Sequence, residues 1–354
     1  MRANSDDARE SLRLVRDSAA SVVPREEGPQ RIRSLRFREP GFDLRLWKEM
    51  CGLGWPGLRI PEGHGGSGLD VAAFCAVARE LGAALAPEPF IAVASAARHL
   101  TGERLAGVLR GDLLIVPAWR EHPHDFAPAN RTRLRDGRVS GTKHLVSDAV
   151  AAHAFVVSTK DGLALVERDA PGVTVSSIGL HDGGFAADLR LDDAPAEPLT
   201  GSLEGTLEEC ALANAAYLQG AMESAFDMTI AYISVRKQFG RPIGSFQALQ
   251  HRAVDMKIQI ELARAVIDEA AASLDQGRGD LKDRQALVSR AKMRAADAAM
   301  QVAKECVQFH GAIGMTDECD IGLYARKILT VHNDWGSVTA HRQRFIAIEQ
   351  ARHD

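Results

Sequence analysis

The sequence is short of several features that would mark a specialised class of protein. Its 354 residues contain only 5 cysteines, which are scattered and form no C-x-x-C pair. This usage argues for a reducing compartment, predicted here to be the cytoplasm, and against a disulfide framework or a structural zinc. The first residues, MRANSDDARESLRLVRD, also lack the apolar segment of a secretory signal.

Charge and hydropathy exclude further classes of partner. The formal net charge is −4, so the sequence indicates no basic surface for nucleic acid or an anionic membrane. Apolar runs such as LLIVPAW are far shorter than the roughly 20 residues that cross a bilayer. His122 and His124 could ligate a metal, but no third ligand stands at a suitable spacing. We therefore predict no nucleic-acid, membrane or metal site.

Helical periodicity dominates the chain up to about residue 112. Asp43 can cap the helix LRLWKEM, and Asp70 can cap VAAFCAVAREL, which Gly82 is expected to end. The glycine-rich stretch between these two helices is predicted to be a loop. We therefore predict an N-terminal helical domain over residues 1–112.

The runs that follow are short, β-branched and partly alternating. Asp136-Gly137 and Asp161-Gly162 stand between such runs, as in hairpin turns. The segment DDAPAEPLTGS, which follows the last run, is expected to be a loop. Together these features predict a middle antiparallel β-domain over residues 113–200.

The rest of the chain, 201–354, is helical again. An apolar stripe over 246–274 repeats every three or four residues, which is typical of a helix that buries one seam in a bundle. Further helical patterns cover about 282–310 and 320–350. Because no strands alternate with helices, a Rossmann fold is excluded. The predicted class is an α+β multidomain fold with a C-terminal helical bundle.

Five segments of the sequence, in this order, are similar to the acyl-CoA dehydrogenase family. They are LGWPGLRIPEGHGGSGL, VARELGAALAPEPF, RDAPGVTV, RKQFGRPIGSFQALQHRAVDM and VQFHGAIGMTDECDIGLYARKI. The resemblance runs along nearly the whole chain. It implies an N-terminal helical domain, a middle β-domain and a C-terminal four-helix bundle, which agrees with the order of patterns described above.

The resemblance also implies an FAD cofactor. In the motif RKQFG, Arg236, Gln238 and Phe239 match positions that grip the FAD of a neighbouring subunit. A guanidinium group suits a pyrophosphate, and an aromatic ring can flank an adenine. A solvated basic helix end, stabilised by the helix dipole, is the alternative interpretation of this motif.

Five more residues match family positions near the flavin. Gln308 and Gly311 match a turn that contacts FAD, and Gly336 and Ser337 match the glycine–hydroxyl pair that follows the catalytic base. Ser147 stands where the family usually has a threonine on a strand beside the flavin. For each serine the alternative is an ordinary surface hydroxyl.

The sequence departs from the family at the base. The family's reaction needs a carboxylate that removes the α-proton of an acyl-CoA, yet the three places where relatives keep this base hold Trp335, Cys210 and Tyr217. Asp334 and Glu209 stand next to two of these places and are the candidate catalytic residues. Adjacency does not guarantee reach, because one residue along a helix is a rotation of about 100°.

The resulting interpretation is an FAD-binding acyl-CoA dehydrogenase subunit. Its partners would be an acyl-CoA substrate, an electron-acceptor flavoprotein and a second, similar subunit in a heterotetramer that supplies the base. The alternatives are a homo-oligomer that uses Asp334 or Glu209, a non-catalytic structural partner, and a flavin oxidase or monooxygenase on the same fold. The sequence does not identify the acyl group.

Overall fold

The order of elements along the chain is helices, then sheets, then helices. The structure, a computed structural model, describes residues 2–122, 126 and 131–353. The first helices are α1 (Arg2–Val22), α2 (Gly28–Leu35), α3 (Leu44–Gly52), α4 (Val71–Ala83), α5 (Phe90–Ala97) and α6 (Gly102–Leu109). The strands of the middle region are β1 (Ile115–Ala118), β2 (Arg133–Arg135), β3 (Arg138–Ser147), β4 (Ala154–Thr159), β5 (Gly162–Glu167), β6 (Val173–Gly179), β7 (Phe185–Pro195) and β8 (Glu197–Leu199).

The remaining elements are mostly long helices. They are α7 (Glu204–Val235), a short strand pair of β9 (Lys237–Gln238) and β10 (Arg241–Pro242), α8 (Gln247–Asp275), α9 (Leu281–His310), α10 (Ile321–Val331) and α11 (Val338–His353). This order confirms the predicted α+β class, with N-terminal helices, a middle β-region and C-terminal helices. None of the helices in the described ranges combines the length and apolarity of a bilayer crossing.

Two predicted helix starts are confirmed by capping bonds. The Asp43 carboxylate accepts hydrogen bonds from the backbone N–H groups of Arg45 (2.8 Å) and Leu46 (3.4 Å) in α3. Asp70 accepts one from the N–H of Ala73 (2.9 Å) in α4. The first N–H groups of a helix have no partner within it, so each carboxylate satisfies donors that would otherwise need water.

Gly82 does not end α4 as predicted, because the helix continues to Ala83. A Cβ atom at Gly82 would lie 1.9 Å from the carbonyl oxygen of Tyr217 in α7. Likewise, a Cβ atom at Gly220 would lie 1.9 Å from the carbonyl oxygen of Arg79 in α4. One glycine on each helix therefore lets the two backbones touch, and Gly82 serves close packing rather than termination.

The middle strands form two four-stranded sheets, with strand orders β1-β4-β5-β8 and β2-β3-β7-β6. Their pairs are antiparallel, as predicted, except that β1 runs parallel to β4. Both predicted hairpins are present, but only the first has the predicted turn residues. Asp136 and Gly137 have φ of 49° and 70°, as a type I′ turn requires. In the second hairpin Thr159 pairs with Gly162, so the turn is Lys160-Asp161 and Gly162 begins β5.

The loop predicted for DDAPAEPLTGS is wrong in its first part, because β7 extends to Pro195 and β8 follows. Val139 of β3 pairs with Ala194 of β7, and Leu189 and Leu191 of β7 are buried. Aspartate, alanine and proline are rare in strands, so the local signal for this end of β7 was weak. Pairing of Ala194 and Pro195 with β3 overrides that preference.

The predicted apolar stripe on α8 is confirmed by burial. Met256, Ile260, Ala263 and Ile267 are each at most 2% exposed. The predicted helix over 320–350, in contrast, is two helices separated by the loop 332–337.

Backbone conformation explains this interruption. Trp335 and Gly336 have φ of 58° and 102°, which no right-handed helix accommodates. Ser337 then starts α11, because its Oγ accepts a hydrogen bond from the N–H of Ala340 at 3.1 Å.

The chain divides into two compact units, which are described separately. The first unit comprises Met1–Ser34, Cys75–Ala86 and Ala211–Asp354, and the second comprises Leu35–Phe74 and Pro87–Cys210. The domain boundaries predicted after residues 112 and 200 stay predictions.

Candidate active site

The first candidate base position lies near the start of α7, in the second unit. Cys210 is 1% exposed, and burial raises the pKa of its thiol well above the ordinary value. A buried, neutral thiol is not a proton acceptor, so Cys210 does not replace a carboxylate there.

Glu209, its neighbour and a predicted catalytic residue, is held by two arginines. Arg59 donates from Nε to one carboxylate oxygen at 2.9 Å and from Nη2 to the other at 3.0 Å, and Arg98 adds a third hydrogen bond. Burial alone would raise the pKa of Glu209, but the bonds from Arg59 and the charge of Arg98 outweigh it and lower the pKa. These contacts favour a structural role over the predicted catalytic one.

Tyr217 also has a structural partner. It is 8% exposed, and its hydroxyl donates to the carbonyl oxygen of Ala86 at 3.0 Å. Tyr324 of α10 donates in the same way to Ala83, the last residue of α4, at 3.0 Å. The two tyrosines therefore satisfy carbonyl groups at and just beyond the end of α4, which have no partner inside the helix.

The last candidate base position lies in the loop 332–337 of the first unit. Asp334, the other predicted catalytic residue, is half-buried, and its backbone N–H donates to the carbonyl oxygen of Val331 at 3.0 Å. Trp335 follows it, is 7% exposed and has a left-handed φ, which is uncommon for a residue with a side chain. The loop therefore buries an indole at the predicted base position and places a carboxylate one residue earlier.

Two buried polar side chains that sequence reasoning missed hold this loop. Lys292 of α9 donates from Nζ to the carbonyl oxygen of His332 at 2.7 Å, and His341 of α11 donates from Nε2 to that of Trp335 at 2.9 Å. Both side chains are 0% exposed. The only available signal was a lysine on the alanine-rich face of AKMRAADAAM, which does not reveal its partner.

The predicted FAD motif between α7 and α8 is a tight hairpin rather than a break in a helix. Gln238 of β9 pairs with Arg241 of β10, and the turn residues Phe239 and Gly240 have φ of 54° and 81°. Phe239 is 91% exposed. A phenylalanine in the left-handed region costs about 1–2 kcal/mol, so this hairpin displays an aromatic ring at an energetic penalty.

The hairpin also carries three cationic side chains. Arg236, Lys237 and Arg241 are exposed, and no carboxylate of the described residues pairs with them. The Arg241 guanidinium lies 4.1 Å from the centroid of the Phe246 ring, which meets Phe239 edge-on at 6.2 Å. This donor set fits FAD, because guanidinium groups bind pyrophosphate and an exposed ring can stack on a base.

The other predicted cofactor segment lies at the end of α9. Gln308 is exposed, and Gly311 ends the helix with φ of 68° and has open space around its Cβ position. The ring of His310 stacks on Tyr232 of α7 with centroids 4.3 Å apart. Sequence reasoning missed this contact, which brings the ends of α7 and α9 together and sets the Gln308 turn beside the start of the hairpin.

The remaining predicted residues are placed in different units. Gly336 is buried in the loop 332–337 of the first unit, next to Ser337, whose oxygen caps α11 while its own proton stays available for donation. Ser147 is half-buried at the end of β3 in the second unit, where it pairs with Ala186.

The described ranges 2–122, 126 and 131–353 contain no cluster of His, Cys, Asp or Glu that could hold a metal ion. Of the two histidines considered for such a site, His122 is described, whereas His124 lies outside the described residues.

Comparison with known proteins places these features in context. Domain profiles for "Acyl-CoA dehydrogenase, N-terminal domain" and "Acyl-CoA dehydrogenase, C-terminal domain" match residues 9–102 and 201–334. The acyl-CoA dehydrogenase IpdE2 of Mycolicibacterium smegmatis is 30% identical over 321 residues, which is 90% of this chain and 92% of that protein. IpdE2 of Mycobacterium tuberculosis is 30% identical over 323 residues, covering 90% and 91%.

Solved structures are similar over the full length. The Tcur3481-Tcur3483 steroid ACAD, as a glycine-to-alanine variant, superimposes with a TM-score of 0.88 at 28% identity and covers 98% of this chain and 99% of that chain. The ChsE4-ChsE5 complex from Mycobacterium tuberculosis gives a TM-score of 0.84 at 27% identity, covering 97% of both.

Proposed function

Because the chain belongs to the acyl-CoA dehydrogenase family, a family of oxidoreductases, we propose that it binds FAD and serves as one subunit of a mixed-subunit acyl-CoA dehydrogenase. One observation carries the proposal. A hairpin with unpaired cations and an exposed ring coexists with base positions whose side chains are buried, namely Cys210, Tyr217 and Trp335. The chain thus displays side chains that suit cofactor binding and has no carboxylate at the three predicted base positions.

The reaction that we propose is α,β-desaturation of an acyl-CoA thioester. FAD, when bound, supplies the acceptor for the hydride that leaves the β-carbon. Arg236 would pair with the pyrophosphate, Phe239 would flank the adenine, and Gln308 and Gly311 would contact the cofactor at the end of α9. The Ser337 hydroxyl would donate a hydrogen bond near the flavin, and the role of Ser147 stays a prediction from the sequence.

The α-proton must pass to a carboxylate, and the local candidates differ in quality. Glu209 is committed to Arg59 and Arg98, which lower its pKa and its strength as a base. Asp334, which precedes Trp335, is the remaining local candidate. In the mixed-subunit arrangement a glutamate of the second subunit removes the proton, and this chain contributes to the cofactor site.

Helix α8 also carries exposed apolar residues that do not belong to its buried stripe. A second acyl-CoA dehydrogenase-like chain is the partner that we propose for this exposed face. Val254, Ile258 and Leu262 recur every fourth residue and are 57%, 47% and 48% exposed. Exposed apolar side chains at such spacing form a contiguous patch, which is typical of an interface. The solved structure of the ChsE4-ChsE5 complex, a similar fold, supports an assembly of two different chains.

The similarity to a steroid ACAD supports a bulky, steroid-derived acyl group as the substrate class. An acceptor flavoprotein would reoxidise the cofactor. Location in the cytoplasm stays a prediction from the cysteine usage.

The decisive experiment is anaerobic mixing of the FAD-loaded protein with acyl-CoA thioesters while the flavin absorbance is recorded. The flavin of the chain alone should be reduced about 10²–10⁴-fold more slowly than the flavin of its assembly with a glutamate-bearing partner. This factor is the usual contribution of a general base. Full bleaching of the chain alone within seconds would contradict the mixed-subunit proposal and favour a homo-oligomer. Rapid reoxidation of reduced flavin by air would favour an oxidase.

Substitution of Trp335 provides a second check. Trp335→Glu restores a carboxylate before Gly336 and should raise the reduction rate of the chain alone if the base is all that is missing. Trp335→Gln is the matched control, because glutamine has the size of glutamate without its charge. Equal rates for the two variants would show that the pocket differs in shape as well as in chemistry.

A further inference from the structure

The turn at Trp335 and Gly336 needs support from outside the loop 332–337. Two consecutive residues with positive φ are disfavoured, above all when the first is a tryptophan. Support comes from two different helices. Lys292 on α9 donates to the carbonyl oxygen of His332, and His341 on α11 donates to that of Trp335. One carbonyl group before Asp334 and one after it are therefore held.

The burial of these two donors indicates that their polar groups have a specific task. Lys292 is 0% exposed, and the surrounding face of α9 consists of small residues such as Ala291, Ala295 and Ala299, all 0% exposed. Burying an ammonium group or an imidazole is costly unless it is hydrogen-bonded. An apolar side chain would fill the same space without that cost but could not hold a carbonyl oxygen.

The orientation of the His341 ring follows from its partners. A carbonyl oxygen only accepts, so Nε2 carries the proton that is donated to Trp335. The bare Nδ1 then accepts from the Ser289 hydroxyl at 3.3 Å. Burial and the charge of Lys292 lower the pKa of His341 to about 3, which keeps the ring neutral. A series of hydrogen bonds from Ser289 through His341 to Trp335 thus orders the loop.

We propose that Lys292 and His341 are positioning residues that hold the loop 332–337, and with it Gly336 and Ser337, in the geometry that the proposed flavin site requires. The importance of Ser337 for a reaction rests on the proposed function, whereas the hold on the loop can be tested without it. A misplacement of about 1 Å in an active site can cost about 100-fold in rate, so loss of these hydrogen bonds to the loop backbone should slow flavin reduction.

Fluorine NMR of the FAD-loaded protein labelled with 5-fluorotryptophan tests the hold directly. The chain has 4 tryptophans, and Trp335→Phe assigns the resonance of Trp335. His341→Leu should shift or split this resonance and leave the other three in place. His341→Gln retains an N–H donor and should restore the native position, and Ser289→Ala should give a smaller shift.

Two outcomes would overturn the proposal. One is an unchanged Trp335 resonance in His341→Leu. The other is an equal movement of all four resonances in both His341 variants, which would indicate a general loss of packing. Lys292→Met should displace the same Trp335 resonance, but the two His341 variants decide the matter if that protein does not fold.

A kinetic arm separates this proposal from the proposed function. The assembly is mixed anaerobically with octanoyl-CoA and with a CoA thioester of a steroid side chain. His341→Leu should lower the limiting rate of flavin reduction by about 10–100-fold with little change in KM, and His341→Gln should stay close to native. If neither thioester reduces the native flavin, the proposed function fails for these substrates, and the fluorine spectra still decide whether His341 holds the loop.

Discussion

Cys210, Tyr217 and Trp335 are the residues predicted from the sequence to replace a catalytic base, and all three side chains are buried. Cys210 is 1% exposed, Tyr217 donates to a carbonyl group beyond the end of α4, and the Trp335 carbonyl is held by His341. The hairpin between α7 and α8 is the opposite case.

In that hairpin the chain agrees with its family, and the side chains are exposed and uncommitted. Arg236 and Lys237 have no carboxylate partner among the described residues, and Phe239 is 91% exposed on a turn that disfavours it. Where the chain departs from the family, side chains hold the fold together, and where it agrees, side chains remain available to a ligand. The four predictions below test this contrast.

Loss of the Glu209 charge should have the largest effect on stability. Glu209→Gln leaves Arg59 and Arg98 without their carboxylate in a mostly buried site, which should cost about 3–5 kcal/mol of unfolding free energy. Urea denaturation measures the change, and Glu103→Gln, which removes a carboxylate that is 94% exposed beside Arg110, should cost much less. Unchanged stability together with a large loss of flavin reduction would instead make Glu209 a base.

The cofactor side of the contrast is tested by Arg236→Ala. Loss of a charged hydrogen bond to the pyrophosphate should weaken FAD binding by about 1.5–3 kcal/mol, which is about 10–150-fold in Kd. Equilibrium titration of the apoprotein with FAD measures it. Arg278→Ala removes another exposed arginine far along the chain and should leave Kd unchanged. Equal FAD affinity of the Arg236 variant and the native protein would show that Arg236 of the hairpin does not bind FAD.

His341 should make stability depend on pH. Its pKa is about 3 in the folded chain against 6.5 for an exposed imidazole, so the unfolded chain takes up the proton first. The neutral His341 ring contributes fully to the unfolding free energy above pH 6.5, and this contribution is lost as the pH falls towards 3. Between pH 7.5 and 5 the loss is about 2 kcal/mol. The difference in unfolding free energy between the native protein and His341→Gln should shrink by that amount, and a constant difference would contradict it.

The smallest effect is expected for Tyr217→Phe. It leaves the Ala86 carbonyl without its donor and should cost about 1–2 kcal/mol of unfolding free energy, without loss of FAD or of flavin reduction. Tyr232→Phe is the control, since the Tyr232 hydroxyl lies 3.5 Å from its acceptor and contributes little. A drop in activity at unchanged stability would contradict the structural role of Tyr217.

Several features of the fold were predictable because they depend on neighbours in sequence. The caps at Asp43 and Asp70, the turn at Asp136-Gly137 and the apolar stripe on α8 each involve residues a few positions apart. Local hydrogen bonds and side-chain periodicity determine such features, so the sequence carries them directly.

Other features escaped prediction because their partners are distant in sequence. The end of β7 is a strand through pairing with β3, and Gly82 packs against a residue that lies more than a hundred positions later. The loop 332–337 interrupts a helical pattern because Lys292 and His341 stabilise a turn that local preference opposes.

By itself the sequence determined the family, the order of helices and sheets, the residues that match an FAD motif, and the lack of a carboxylate at the base positions. Only the tertiary structure decided what the replacements contact and which acid Arg59 and Arg98 hold. Glu209 and Asp334 are equivalent in sequence as acids that precede an altered position, but folding places Arg59 and Arg98 on one of them alone. Such assignments depend on contacts between distant segments, whose charge and burial determine whether a carboxylate can act as a base.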